Sequence, residues 1–489
     1  MVALTQTKIE EYKEKTPTTF LDYVYFEDKD EIRQPQIDAF LSDKTYFPAH
    51  FYPKLDGLSH NMDVTKEKTA IYKAGLELEE AKKQPGVDLA ELNLYIDFFT
   101  RRLQMIMLTE AARDLNLAGG SAEQDVAQYT FMDLNEKLFG EFDVPAFRTM
   151  MFTEYNRISE FVPASEHEQQ IKSQLLSSLE SIKSDETVEK PLMDKESLQK
   201  LHDVVVERFK VTLDTIPDTD DSVYYNAEEC TKIVNDVLEV RGLTAKGWKA
   251  VIYPESTIVS TQFETKEIRL PSSTNRNARE LRRLIVHEVE VHAFRAQNGS
   301  ETGFKILTKG TAGYLDIEEG LGILLECALE NSWDNPSLDR ARDRYITAGL
   351  ALGSDSEEPR NAHDVEDILS KIYSIRQSED GKISDKGMQK ARKQAYAHVE
   401  NAFRGTEFWM RGIIYMKLKV YYEGLVKNAQ YMLDNIDDLN AALDQAGIGK
   451  FDHTDNEETA NVRHMVTRKR GRVLSAVARA MQGVVNKQN

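Results

Sequence analysis

The sequence predicts a mainly α protein of the α+β class, in which long helices are interrupted by one small antiparallel sheet. Three observations carry this. Apolar residues recur at helical spacing along most of the 489 residues, and only 13 prolines interrupt them. One stretch, residues 249–270, changes to short β-like runs: Ala250-Val251-Ile252-Tyr253, Thr257-Ile258-Val259 and Glu267-Ile268-Arg269-Leu270, punctuated by Pro254 and Pro271. Hydrophobic residues make up 41% and charged residues 29%, the balance of a globular chain long enough to bury a core without disulfides.

The remaining elements follow in order. Residues 90–115 carry apolar positions at helical spacing, and Gly119-Gly120 stops them. Residues 165–200 are rich in Gln, Ser, Lys and Glu and read as a long solvated helix or hairpin rather than core. After the sheet, Asn275 stands where it could cap a helix from Ala278 to about Gln297, with Asn298-Gly299 ending it. A second helix is expected from about Ile317 to Glu330. An acidic loop with Glu357, Glu358 and Pro359 comes next, and helices then resume. Three parts are expected: an N-terminal helical region over 1–125, a central domain over 126–430, and a C-terminal helical tail over 431–489.

Charge and composition exclude several classes. A net charge of −20 opposes nucleic acid and anionic membrane surfaces. The basic run Arg468-Lys469-Arg470-Gly471-Arg472 reads as a solvated helix face. No segment approaches the roughly 18–20 apolar residues of a membrane span. Two distant cysteines, Cys230 and Cys327, fit a reducing compartment, and the first residues lack a secretory pattern. A cytoplasmic location is the expectation.

The chemistry sits in His287-Glu288-Val289-Glu290-Val291-His292. Two histidines bracket a glutamate that directly follows the first. Neutral imidazoles ligate zinc, and a glutamate beside the first ligand is held near the ion without binding it. There it can act as general base on the attacking water. At about 100° per residue, the usual spacing of four leaves two side chains about 40° apart, whereas the spacing of five found here leaves about 140°. Two rings so far apart do not reach one ion. A single i→i+5 turn would bring the second ring back to the face of the first, so a π-type distortion is expected between Leu284 and Phe294. A catalytic zinc needs a third protein ligand. Glu319, in Asp316-Ile317-Glu318-Glu319-Gly320-Leu321-Gly322, is the candidate, expected in a first helical turn beside two glycines that permit close packing. Glu290 is expected to face solvent or to pair with an arginine such as Arg283.

This combination of His-Glu-x-x-x-His with a downstream Glu-Glu-Gly-Leu-Gly resembles the QEGLA-motif family, also called domain of unknown function 1704. Its animal members are the microtubule-associated tyrosine carboxypeptidases. The resemblance implies a zincin-like metallopeptidase core and makes Glu319 the third zinc ligand. It extends to Leu138-Phe139-Gly140, to Phe403-Arg404-Gly405 and to the run from Lys417 to Gly424, and covers about residues 126–430, with a fainter trace at Tyr46-Phe47-Pro48. Val291 replaces the family's threonine, Gly322 its final alanine, and Leu418 its aspartate.

The expectation is therefore a zinc metallopeptidase that removes a C-terminal residue, tyrosine-like by resemblance, from a peptide or protein through a metal-activated water. His287, His292 and Glu319 hold the zinc, and Glu288 is the base. Arg404 and Lys417 are candidates for the substrate's terminal carboxylate because they lie in family-like elements. Tyr421 is the candidate donor to the oxyanion. The strand at residues 267–270 is expected beside the cleft, where an edge could pair with an extended peptide. Two other readings stay open: a non-catalytic helical scaffold containing zinc, and an amidohydrolase acting on a non-peptide substrate.

Overall fold

The structure is a computed structural model that describes residues 30–48, 62–83, 89–117, 121–183, 189, 191–254, 256 and 258–467. The Gly119-Gly120 stop signal, Thr257 and the basic run 468–472 lie outside the described residues. Helices dominate, as expected, and among the described residues the strands fall within residues 224–277. Helix Leu89–Leu117 covers the stretch read as helical near residue 100. No helix among the described residues is long and apolar enough to cross a membrane. Both cysteines are buried free thiols.

The polar stretch after residue 165 behaves differently from its composition. It forms helices Glu166–Ser178 and Lys195–Arg208, each with one buried side. Ile171 and Leu175 face inward on the first, and Leu198, Leu201 and Val205 on the second. Apolar residues at helical intervals are enough to anchor an amphipathic helix even when polar residues outnumber them.

Two sheets occupy the expected region. β1 (Tyr224–Asn226) pairs antiparallel with β5 (Asn275–Asn277). In the second, β2 (Lys249–Ile252), β3 (Ser260–Gln262) and β4 (Glu267–Leu270) lie in the order β2-β4-β3. β3 and β4 are antiparallel, while β2 and β4 run parallel. β4 is thus the central strand, with both edges already paired. The edge strands are β2 and β3, not residues 267–270. The sheet packs through Ala250, Ile268 and Leu270 against helix Ala227–Val240 and the helix that follows β5, with Trp248 buried between them. The Trp248 indole N–H donates to Gln297 Oε1 at 3.1 Å.

The helix after β5 begins at Ala278, as read from sequence, but its cap lies two residues beyond the one expected. Asn277, not Asn275, is the N-cap: its side chain accepts from Glu280 N–H while Glu280 reaches back to Asn277 N–H. Asn275 is occupied as the first residue of β5. The helix also runs past Asn298-Gly299 and ends at Thr302, where Gly303 supplies the left-handed cap with φ 74°. Gly299 serves another purpose. A Cβ there would overlap the carbonyl of Leu307, so the glycine admits a neighbouring segment rather than ending the helix.

The second helix starts a turn earlier than expected and spans Tyr314–Glu330. It crosses helix Val420–Asp434 at a glycine-to-glycine contact. A Cβ on Gly320 would overlap the backbone of Gly424, and one on Gly424 would overlap that of Asp316. This contact sets how deeply Glu319 sits. Buried side chains of helices Leu89–Leu117, Tyr314–Glu330, Val420–Asp434 and Leu439–Ala446 form one contiguous apolar core around it.

Candidate metal centre

The spacing conflict in the histidine motif is resolved by backbone. Residues Val286–Ala293 form a π-helix between α-helical segments Ala278–Ile285 and Phe294–Thr302. Phe294 N–H donates to Val289 O, five residues back. The wider turn brings both imidazoles to one face, with ring centroids 4.9 Å apart and ring planes at 64°.

Each imidazole is held through Nδ1 by a buried carboxylate of the facing helix. His287 Nδ1 lies 2.7 Å from Glu326 Oε1, and His292 Nδ1 lies 2.7 Å from Glu318 Oε1. An ionised carboxylate only accepts, so both rings carry a proton on Nδ1, which leaves Nε2 as the nitrogen that can ligate an ion. Glu319 Oε2 stands 3.9 Å from His287 Nε2. One ligand atom each from His287, His292 and Glu319 falls within 4.8 Å of the others. Two imidazoles and a carboxylate, with both rings backed by carboxylates, are a donor set that fits a divalent transition ion. Glu319 occupies the second turn of its helix, not the first, because the helix begins at Tyr314.

The facing helix presents Glu319, Gly322 and Glu326 at intervals of three and four, one face of an α-helix. Gly322 is needed here. A Cβ at that position would stand 2.6 Å from His287 Cε1, so the ring fills the space that an alanine methyl would take.

Glu288 Oε2 accepts from the Thr261 hydroxyl at 2.6 Å, which ties the carboxylate to edge strand β3. Glu290, by contrast, neither faces solvent nor meets Arg283. It is buried, accepts from Thr212 and pairs with Arg241 Nη2 at 2.9 Å. Arg283 pairs with Glu330 at 2.9 Å. The π-turn rotates Glu290 away from the ion site and toward helix Ala227–Val240.

The surrounding charge is unevenly balanced. Burial works against an imidazolium at His287, but the hydrogen bond and charge of Glu326, with Glu288 and Glu319, outweigh it and raise its pKa to about 9. Glu318 is fully buried, which alone would raise its pKa; Lys450, His292 and Arg295 together hold it well below the usual range.

The candidate substrate residues are dispersed around this centre. Lys417 sits within electrostatic reach of Tyr421, Tyr415, Glu319 and Tyr314; burial opposes its charge, yet these oxygens leave its pKa raised. No described carboxylate lies within ion-pair distance of it. Tyr421 is half-buried, with the Arg344 guanidinium 4.2 Å over its ring. Arg404 donates to Asn401 Oδ1 at 2.9 Å, and its Nε is buried without a hydrogen-bond partner. Its charge, like that of Lys417, acts on Tyr415. The sequence reading missed Glu318, Glu326 and Thr261. Glu326 was detectable as the acid two turns beyond Glu319, and Glu318 as its neighbour; nothing in the sequence marked Thr261.

Fold and site together define a mostly helical protein with a His–His–Glu group that could hold one metal ion, and with Glu288 next to the first of its histidines. Residues 187–348 match the family model described as microtubule-associated tyrosine carboxypeptidase. That segment is thus related to a carboxypeptidase family, and it contains His287, Glu288, His292 and Glu319 but not Lys417. No curated protein and no solved structure matches the chain.

Proposed function

We propose that the chain is a zinc-dependent carboxypeptidase that hydrolyses the last peptide bond of a peptide or protein, with a tyrosine-like terminal residue as the family likeness suggests. The observation that carries this reading is the convergence of two Nε2 atoms and the Glu319 carboxylate, with Glu288 beside them but outside the donor group. When bound, zinc supplies Lewis acidity, making water a stronger acid and polarising the scissile carbonyl. Glu288 takes the proton of the attacking water as the new C–O bond forms. It then delivers that proton to the departing amine as the C–N bond breaks. Thr261 steadies the carboxylate through its hydroxyl. Lys417 meets the substrate's terminal carboxylate, and Tyr421 donates to the oxyanion.

An acidic chain needs a locally basic cleft to take an anionic terminus. Arg340 lies within electrostatic reach of Glu326, Arg344, Arg283 and Arg276. Arg344, Arg340 and Arg276 have no carboxylate partner among the described residues. These side chains favour approach of a C-terminal segment despite the net charge of −20.

The test compares a peptide with a free C-terminal carboxylate against the same peptide amidated, read by mass spectrometry of the products. Loss of one terminal residue from the free acid only is expected. Lys417→Ala should lower kcat/KM on the free acid about 10- to 100-fold, mainly through KM, in line with the loss of one charge-assisted contact. Equal cleavage of the amidated peptide, or internal cleavage, contradicts the carboxypeptidase reading.

Zinc loading should also depend on pH. His287 with its pKa near 9 holds a proton at neutrality that the ion must displace. The group is charged below that pKa, so competition is strongest in acid and ends above it. Apparent affinity is expected to climb about tenfold per pH unit up to about 9. Calorimetry in buffers of different ionisation enthalpy should report about one proton released at about pH 7; no buffer dependence contradicts the assignment.

A further inference from the structure

We infer that Lys450, in the C-terminal segment beyond the family match, is a positioning residue of the metal centre. The inference rests on the proposed zinc site. Glu318 Oε1 is shared by two donors: His292 Nδ1 at 2.7 Å and Lys450 Nζ at 2.8 Å. Arg295 Nη1 reaches the other oxygen at 3.3 Å. All three side chains of the cluster, Glu318, Arg295 and Lys450, are buried. The equivalent carboxylate behind His287 has no cation in direct contact among the described residues: Glu326 Oε2 accepts from the Ser337 hydroxyl at 2.6 Å, and Arg340 Nη2 reaches only that hydroxyl, at 2.8 Å. The two ligand histidines are therefore backed differently: Lys450 and Arg295 both pair with the carboxylate behind His292.

The backbone around Lys450 is built to hold it there. Lys450 N–H donates to Leu307 O at 2.8 Å, and its carbonyl accepts from Thr311 N–H at 3.0 Å. Arg295 Nε bonds the carbonyls of Ala446 and Gly449, and its Nη2 bonds that of Phe451. Arg295 lies on the helix that carries His292, so one guanidinium grips the C-terminal loop and the carboxylate behind the ligand together. Gly449 lets this loop lie against Leu307 and Gly299, where a Cβ would meet Leu307 at 2.9 Å. The ammonium also faces the rings of Phe263, 5.3 Å away, and Tyr314, 5.6 Å away. Lys450 thus joins the loop between β3 and β4, the start of the Glu319 helix and the C-terminal segment. Arg295 and His292 already give Glu318 a partner on each oxygen. The second cation fixes which way Oε1 points, and hence where His292 directs Nε2.

The test uses the full chain and two metal-site readouts, the dissociation constant by chelator competition and the absorption spectrum of the cobalt(II) form, with far-ultraviolet circular dichroism as a check of folding. Lys450→Met should keep the fold, bind zinc about 10- to 100-fold more weakly and change the cobalt spectrum. Lys450→Arg should recover most of the affinity. In a Glu318→Gln background, Lys450→Met should cost nothing further, because the lysine acts through that carboxylate. This last pair also decides the matter if Lys450→Met alone does not fold. Wild-type affinity and an unchanged cobalt spectrum in Lys450→Met, or a fully additive loss in the double variant, overturns the inference. Failure of the wild type to bind zinc at all would instead overturn the proposed function.

Discussion

Glu288→Gln is expected to keep its fold and its zinc and to lose about 10²- to 10⁴-fold in kcat, the usual share of a positioned general base. The substitution is isosteric, and the amide oxygen can still accept from the Thr261 hydroxyl, so the side chain stays in place. What disappears is the proton acceptor. Glu288 is outside the group that can hold the ion, so affinity for zinc should change little. Peptide hydrolysis followed beside metal content separates the two effects. Full turnover in a zinc-loaded Glu288→Gln protein removes the base assignment, whereas loss of zinc makes Glu288 a ligand.

Glu319→Ala should have the larger effect on the ion itself. It leaves two neutral imidazoles, which supply donors but no charge. Zinc sites in small proteins are worth about 10–16 kcal/mol over four ligands, so one ligand accounts for about 3 kcal/mol. Affinity should fall about 10²- to 10³-fold, and activity with it. The fold should persist, because Glu319 is half-exposed and the contact between Gly320 and Gly424 is untouched. Chelator competition gives the number. Unchanged affinity in Glu319→Ala means that the third donor is another group.

The most informative feature of the sequence was its apparent defect. A five-residue gap between histidines is incompatible with one face of an α-helix, and the π-helix at Val286–Ala293 is the physical resolution. The helical majority and the position of the small sheets were legible from periodicity in the same way. Helix ends were less so, because tertiary contacts decided them. Gly299 has the character of a terminator but serves a close approach of Leu307, so the helix continues to Thr302. The parallel pairing of β2 with β4 depends on a chain path that two short β-like runs do not encode. Glu290 pairs with an arginine, as one of the two expectations had it, but the partner is Arg241 rather than Arg283, because the π-turn rotates it into a buried position. Within the site, the ligand candidates were recognisable by local grammar. Lys450 was not, since a lysine far along the chain carries no mark of the Glu318 carboxylate it meets.

The most direct measurement is metal stoichiometry by mass spectrometry on untagged protein, with the wild type and His287→Ala prepared side by side. About one zinc per chain in the wild type and none in His287→Ala is the predicted result. No zinc in either protein, or equal zinc in both, would contradict the metal centre and the hydrolytic function built on it.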